Sequence, residues 1–212
     1  MCTGRVDLSY ILRAFSKGAD GVFIIGCRLN ECNYITHGNF HALSMVHLCK
    51  KIMAYIGLNP ERLMVEFMSG GEGILFAEVM NDFGKKVREL GPFGKAEGID
   101  EKALKVKLEA VTNLVPYIRL VERERLRIPF ESEEACETFF TSDEFNRLFK
   151  ELIVDKLAIS QITSLLRERP LSTGKISEIL GLTPSEVSRH MNNSSRQGLV
   201  RYDVSQKCYA LA

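Results

Sequence analysis

The 212-residue sequence has no apolar run approaching the ~20 residues of a membrane-spanning helix, so no span is expected. It also shows no export leader, because its start, MCTGRVDLSY, is polar and charged. A strong excess of one charge is missing too. Twenty-eight Lys and Arg face 27 Asp and Glu, leaving a net charge of +1, and bulk charge therefore selects no nucleic acid or acidic partner. Repeats and low-complexity tracts are absent, which argues against solenoids and disordered linkers. With neither leader nor span, a cytoplasmic location is expected. Six cysteines in that compartment read as thiols, metal ligands or redox groups rather than a disulfide framework.

What is present is first an alternating pattern. Asp7 is placed to cap a helix over 8–18, with Leu8, Ile11, Leu12 and Phe15 inward and Gly18 ending it. GVFIIGC (21–27) is a short apolar run with β-branched residues, read as a strand buried on both faces. A helix over about 39–56, a second buried strand at 63–68 and a helix over about 72–90 follow, closed by Gly91–Pro92. Strand and helix alternating at this spacing predict a parallel α/β sheet. Two strands make a small one, and the chain opens on a helix rather than on the strand that should feed it. Upstream strands are therefore expected.

GPFGKAEGID (91–100) reads as a Gly-rich linker, and residues 101–128 as a charged helix interrupted at Pro116, with VERERLRI on a solvated face. The expected division is an α/β domain over 1–92, a helical linker over 93–142 and a C-terminal domain over 143–212. In the last, a long helix ends at Arg169–Pro170 and STGKISEILG forms a second. A Gly181–Pro184 turn precedes a third, and LVRYDVSQKCYAL gives two strands. Helix, helix, turn, helix and hairpin predict a winged helix-turn-helix. Its third helix presents Ser185, Ser188, Arg189, Asn192, Asn193 and Arg196, with Lys207 on the hairpin. Arg and Asn suit guanine and adenine, but so few cations give few phosphate contacts.

The chemistry-bearing residues lie in the first part. Cys27 and Cys32, in GCRLNEC, follow a strand, and Cys2 precedes a helix. Binding sites in parallel α/β sheets form outside the carboxyl ends of strands, so the three thiols are expected at one edge. The residues alone leave three readings open: inert packed thiols, an iron–sulfur or zinc site, and thiol redox chemistry. Cys49, Cys136 and Cys208 read as structural. His37, His41 and His47 sit near the cysteines, with His37 a candidate partner or ligand. Arg5 and Arg28 flank the thiols and would offset negative charge. SGGEG (69–73) opens a helix but lacks the spacing of a phosphate-binding loop, so it reads as a tight turn.

Longer stretches carry a resemblance. CTGRVD, KGADGVFIIGCRLNEC, CNYITHGN and PERL…GEG…FAEVMNDF…VRELGP, spanning about residues 1–92, resemble the delta subunit of methyl-viologen-reducing hydrogenase. The winged-helix part is similar to the extension of longer bacterial members. The resemblance implies a flavodoxin-like domain holding a [2Fe–2S] cluster, with Cys2, Cys27 and Cys32 as ligands. It also implies that a strand and a C-x-x-C-type motif precede Met1, so that residues outside this chain complete the site. The sequence departs from the family at Asn33, where a His is usual. The implied role is a non-catalytic electron carrier. It would link a hydrogenase, formate dehydrogenase or acyl-CoA reductase type of oxidoreductase to a heterodisulfide reductase-like flavoprotein. The alternative is a redox-responsive winged-helix regulator that binds DNA.

Overall fold

A computed structural model describes residues 2–34 and 38–212. The chain divides into two compact units, one formed by residues 1–100 and 120–147, the other by 101–119 and 148–212. Residues 93–142, expected as a linker, are thus shared between the two.

In the first unit the chain runs through a 3-10 turn (Thr3–Arg5), α1 (Leu8–Ser16), β1 (Val22–Gly26), α2 (Asn39–Tyr55), β2 (Leu63–Phe67) and α3 (Gly73–Leu90). The Asp7 carboxylate accepts from Ser9 N at 2.8 Å and starts α1. Leu8, Ile11, Leu12 and Phe15 form its buried stripe, as expected. Gly18 (φ 90°) stops the chain just beyond it. β1 and β2 pair in parallel, from Val22 opposite Leu63 to Gly26 opposite Phe67. Two parallel strands are too few to show the flavodoxin-like order, and β1 is not covered on both faces. Ile24 is 7% exposed, whereas the next side chain, Ile25, is 36% exposed. The first half of α3 likewise leaves Ile74 and Phe76 in solvent.

The Gly-rich segment after α3 is not a linker. Arg62, fully buried, holds Glu97 through a 2.6 Å ion pair and donates to the carbonyls of Asp20, Leu90 and Gly91. Phe93 stacks on Phe15 with ring centres 4.7 Å apart. A buried guanidinium with every donor engaged offsets its desolvation through these bonds, so the loop belongs to the core. The unit is completed by a π-helical turn (Glu122–Leu126), α5 (Glu133–Thr141) and most of α6 (Asp143–Phe149). The VERERLRI segment is only partly solvated: Glu122 is buried, holding Arg127 at 2.7 Å and His41 at 3.4 Å.

The second unit contains most of α4 (Glu101–Val121), a π-helical turn (Lys150–Val154), α7 (Asp155–Glu168), α8 (Thr173–Leu180), α9 (Pro184–Arg196) and the hairpin of β3 (Val200–Asp203) and β4 (Cys208–Leu211). α4 passes through Pro116 without the expected interruption. The missing N–H and ring crowding destabilise that turn, and burial of Val111, Val115 and Ile118 along the helix opposes the cost. One core gathers Val106, Ile162, Leu165, Ile176, Leu180, Val187, Met191 and Val200. Gly181 closes α8 in the left-handed region, at φ 73°. Thr183 and Glu186 form a reciprocal capping box at α9. Leu171 bridges to Tyr209 beside the hairpin. This is the helix–helix–turn–helix–hairpin architecture expected from the sequence. Among the described residues no helix is long and apolar enough to cross a membrane.

Candidate functional site: a three-thiol edge

The carboxyl end of β1 is where the thiols meet. β1 ends at Gly26, where a Cβ would press on the Phe67 ring at 2.9 Å and on the Thr3 hydroxyl at 3.2 Å. That hydroxyl donates to the Ile25 carbonyl at 2.9 Å and pins the Cys2–Arg5 segment beside the strand. Cys27 follows directly. The loop then turns through Asn30 (φ 67°) and returns Cys32. Cys2 Sγ and Cys32 Sγ lie 3.5 Å apart. Cys27, exposed to solvent, feels both of them electrostatically.

Each sulfur is also approached by N–H groups. Gly4 N donates to Cys2 Sγ and Tyr34 N to Cys32 Sγ, both at 3.4 Å. Asn39 Nδ2 reaches Cys27 Sγ at 3.8 Å. The thiols consequently differ. Desolvation pushes the Cys27 thiol up, helped by its interaction with the Cys32 thiol and by the charges of Cys32 and Cys2. Desolvation also opposes ionisation of Cys32, but the N–H groups of Tyr34 and Asn39 and the bonds from Cys2 and Cys27 outweigh it and lower the thiol's pKa. Gly38 completes the cradle, because a Cβ there would overlap the Cys32 sulfur and the Tyr34 carbonyl oxygen.

Other residues singled out in the sequence are engaged elsewhere. Arg28 pairs with Glu72, so its charge is already answered. Glu72 also accepts from Ser69 N at 2.5 Å, which makes SGGEG a turn closed by its own carboxylate. His41 faces Glu122. His47 stacks on Phe140 with ring centres 5.2 Å apart, and desolvation, then the Lys50 charge, lower its pKa. His37 lies outside the described residues. Cys49 and Cys136 are buried, and desolvation drives both thiols up to about 12, so neither is a ready thiolate. Cys208 Sγ donates to the Gln206 carbonyl. Among the described residues no set of three or more His, Cys, Asp or Glu side chains is arranged as a finished metal site. The edge is thus a gathering of thiols and N–H donors, not a closed coordination shell.

On α9, Ser185, Arg189, Asn192, Asn193 and Arg196 are exposed and Ser188 is half-buried, while Lys207 is exposed on the hairpin. Arg189 is not free: it pairs with Asp155 at 3.2 Å.

An α/β unit with thiols at its strand end, joined in one chain to a winged-helix unit, is the class that geometry defines. The comparisons divide along the same line. Residues 1–91 match the methyl-viologen-reducing hydrogenase, delta subunit, family, and residues 160–202 match the bacterial regulatory protein, arsR family. The iron-sulfur subunit of the F420-non-reducing hydrogenase of Archaeoglobus profundus is 46% identical over 92 residues, covering 43% of this chain and 66% of the relative. Its vhu counterpart in Methanococcus maripaludis is 45% identical over 91 residues, covering 43% of this chain and 67% of the relative. One component of the ferredoxin/F420H2-dependent CoB-CoM heterodisulfide reductase of Methanosarcina acetivorans is 44% identical over 94 residues, 44% of this chain but 12% of that protein. The chain belongs to the methyl-viologen-reducing hydrogenase delta subunit family. It spans about two thirds of the length of the two hydrogenase relatives and a small part of the reductase component.

Proposed function

We propose that this chain is an electron-transfer subunit of a cytoplasmic redox complex and that Cys2, Cys27 and Cys32 are thiolate ligands of a [2Fe–2S] cluster. The observation that carries the reading is the 3.5 Å approach of Cys2 Sγ to Cys32 Sγ, with Cys27 near enough to feel the charge of each. The donor set suits the group. Thiolates are the usual ligands of such clusters, and N–H groups aimed at their sulfurs are the usual means of tuning them. When bound, the cluster supplies a one-electron redox centre. The chain's own residues hold and bias that centre: Gly4, Tyr34 and Asn39 present N–H dipoles that favour negative charge on sulfur, and Gly38 leaves room for the approach. An all-thiolate cluster takes four protein ligands, so the fourth comes from outside this trio. The proposed partners are a heterodisulfide reductase-like flavoprotein and an oxidoreductase of hydrogenase, formate dehydrogenase or acyl-CoA reductase type. This fits relatives named as parts of hydrogenases and of a heterodisulfide reductase. The chain itself performs no catalysis.

The test is anaerobic reconstitution with ferrous iron and sulfide. Visible absorption that bleaches on reduction, with a reduced-state electron paramagnetic resonance signal, supports the reading. A protein that remains colourless and silent contradicts it.

A second reading rests on the winged-helix unit, matched to arsR-family regulators and presenting an exposed polar α9. Here the chain is a redox-responsive regulator. Gel-shift titration against its own promoter region separates the two. Sequence-specific binding that weakens steeply with salt favours the regulator, and its absence leaves the carrier.

A further inference from the structure

Asn39 is the first residue of α2 and is 2% exposed, one of few polar residues so deeply buried. Burial of an amide is costly unless its donors and acceptor are used. Here they are used on the thiol loop. Nδ2 donates to the Cys27 carbonyl at 2.9 Å and to the Arg28 carbonyl at 2.6 Å, and comes within 3.8 Å of Cys27 Sγ. Oδ1 accepts from Phe40 N at 3.0 Å. The backbone N–H of the same residue also favours the ionised form of the Cys32 thiol. One residue thus bears on both sulfurs, by side-chain contact with Cys27 and by its main-chain dipole on Cys32. Gly38, just before it, lets the Cys32 sulfur lie against the start of α2, since any Cβ there would occupy the space of that sulfur.

We propose that Asn39 is the positioning residue of the thiol edge, resting on the iron–sulfur reading given above. It fastens the Cys27–Arg28 turn to the start of α2 and fixes the spacing of the Cys27 and Cys32 sulfurs. Its N–H dipoles lower the electron density on those sulfurs and raise the potential of a centre held by them. Only an amide of this length does all of this. An Asp of the same shape would set a carboxylate against two carbonyl oxygens and a thiolate. An Ala would leave both carbonyls unbonded.

The experiment compares wild type, Asn39→Asp and Asn39→Ala by two readouts. In the metal-free protein, hydrogen exchange in the peptide covering residues 27–34 is expected to quicken several-fold in both variants, while the body of α2 keeps its protection. In the reconstituted protein, the midpoint potential is expected to fall in both variants, further in Asn39→Asp. A residue that merely starts a helix would lower thermal stability without moving the potential. Wild-type exchange at 27–34 in both variants overturns the positioning role. A wild-type potential in both variants overturns the tuning role, even if stability falls. A wild type that takes up no iron overturns the iron–sulfur reading instead, and the exchange comparison then decides the role of Asn39 by itself.

Discussion

The two units solve opposite problems. In the second, every signal serves closure. Ser172 starts α8, Gly181 ends it, Thr183 and Glu186 box the start of α9, and one apolar core lies beneath. In the first, the sheet has two strands, Ile25 and the start of α3 stay exposed, and the thiols gather on a loop held by N–H groups. Packing and chemistry thus draw on different residues. The winged-helix unit shows agreement of local and global preferences. The thiol unit spends glycines and a buried amide on holding sulfurs.

The comparison breaks most visibly at Arg62, the knot of the first unit. Arg62→Ala leaves Glu97 uncompensated and three carbonyls unbonded, and should cost about 3–5 kcal/mol. Hydrogen exchange should rise in β1, β2 and residues 91–97. If those peptides keep their protection, the Gly-rich segment is a loose appendage after all. A smaller effect is expected in the second unit, where Thr183→Ala removes the capping box and should cost about 1 kcal/mol. Chemical denaturation measures it, and an unchanged midpoint would show that the turn, not the cap, sets the start of α9.

A further effect is confined to alkaline pH. Cys49, buried in α2, has its thiol raised by desolvation from an ordinary value of 9.0 to about 12. A group raised on folding stabilises fully below its unfolded value and loses that contribution as pH climbs to the folded one. Stability should therefore decline between pH 9 and about 12, and Cys49→Ala should show a shallower decline over that window. Parallel pH curves for wild type and variant would reject this source of alkaline sensitivity.

Much of this was legible in the sequence where a residue acts on its neighbours. Asp7, Gly18, Gly91 and the Gly181–Pro184 turn mark helix ends through local geometry, and all stand where expected. Long-range partners were not legible. Glycines at 91–98 announce backbone freedom, and nothing local says that a buried Arg62 will bind their carbonyls. Pro116 announces a break, and only burial of Val111, Val115 and Ile118 keeps the helix whole. Glu122 looked solvated until Arg127 and His41 supplied its partners. At the candidate site, Cys2, Cys27 and Cys32 were legible from strand-end topology. Gly38 and Asn39 were passed over. The available signal was a glycine followed by a helix-starting amide immediately after a cysteine loop.

The most direct measurement is iron per chain, after reconstitution and desalting, for wild type and for Cys2→Ser, Cys27→Ser, Cys32→Ser and Cys49→Ser. The account predicts that wild type and Cys49→Ser retain the same iron while the other three variants lose most of it. Equal iron in all five, or a loss confined to Cys49→Ser, would contradict it.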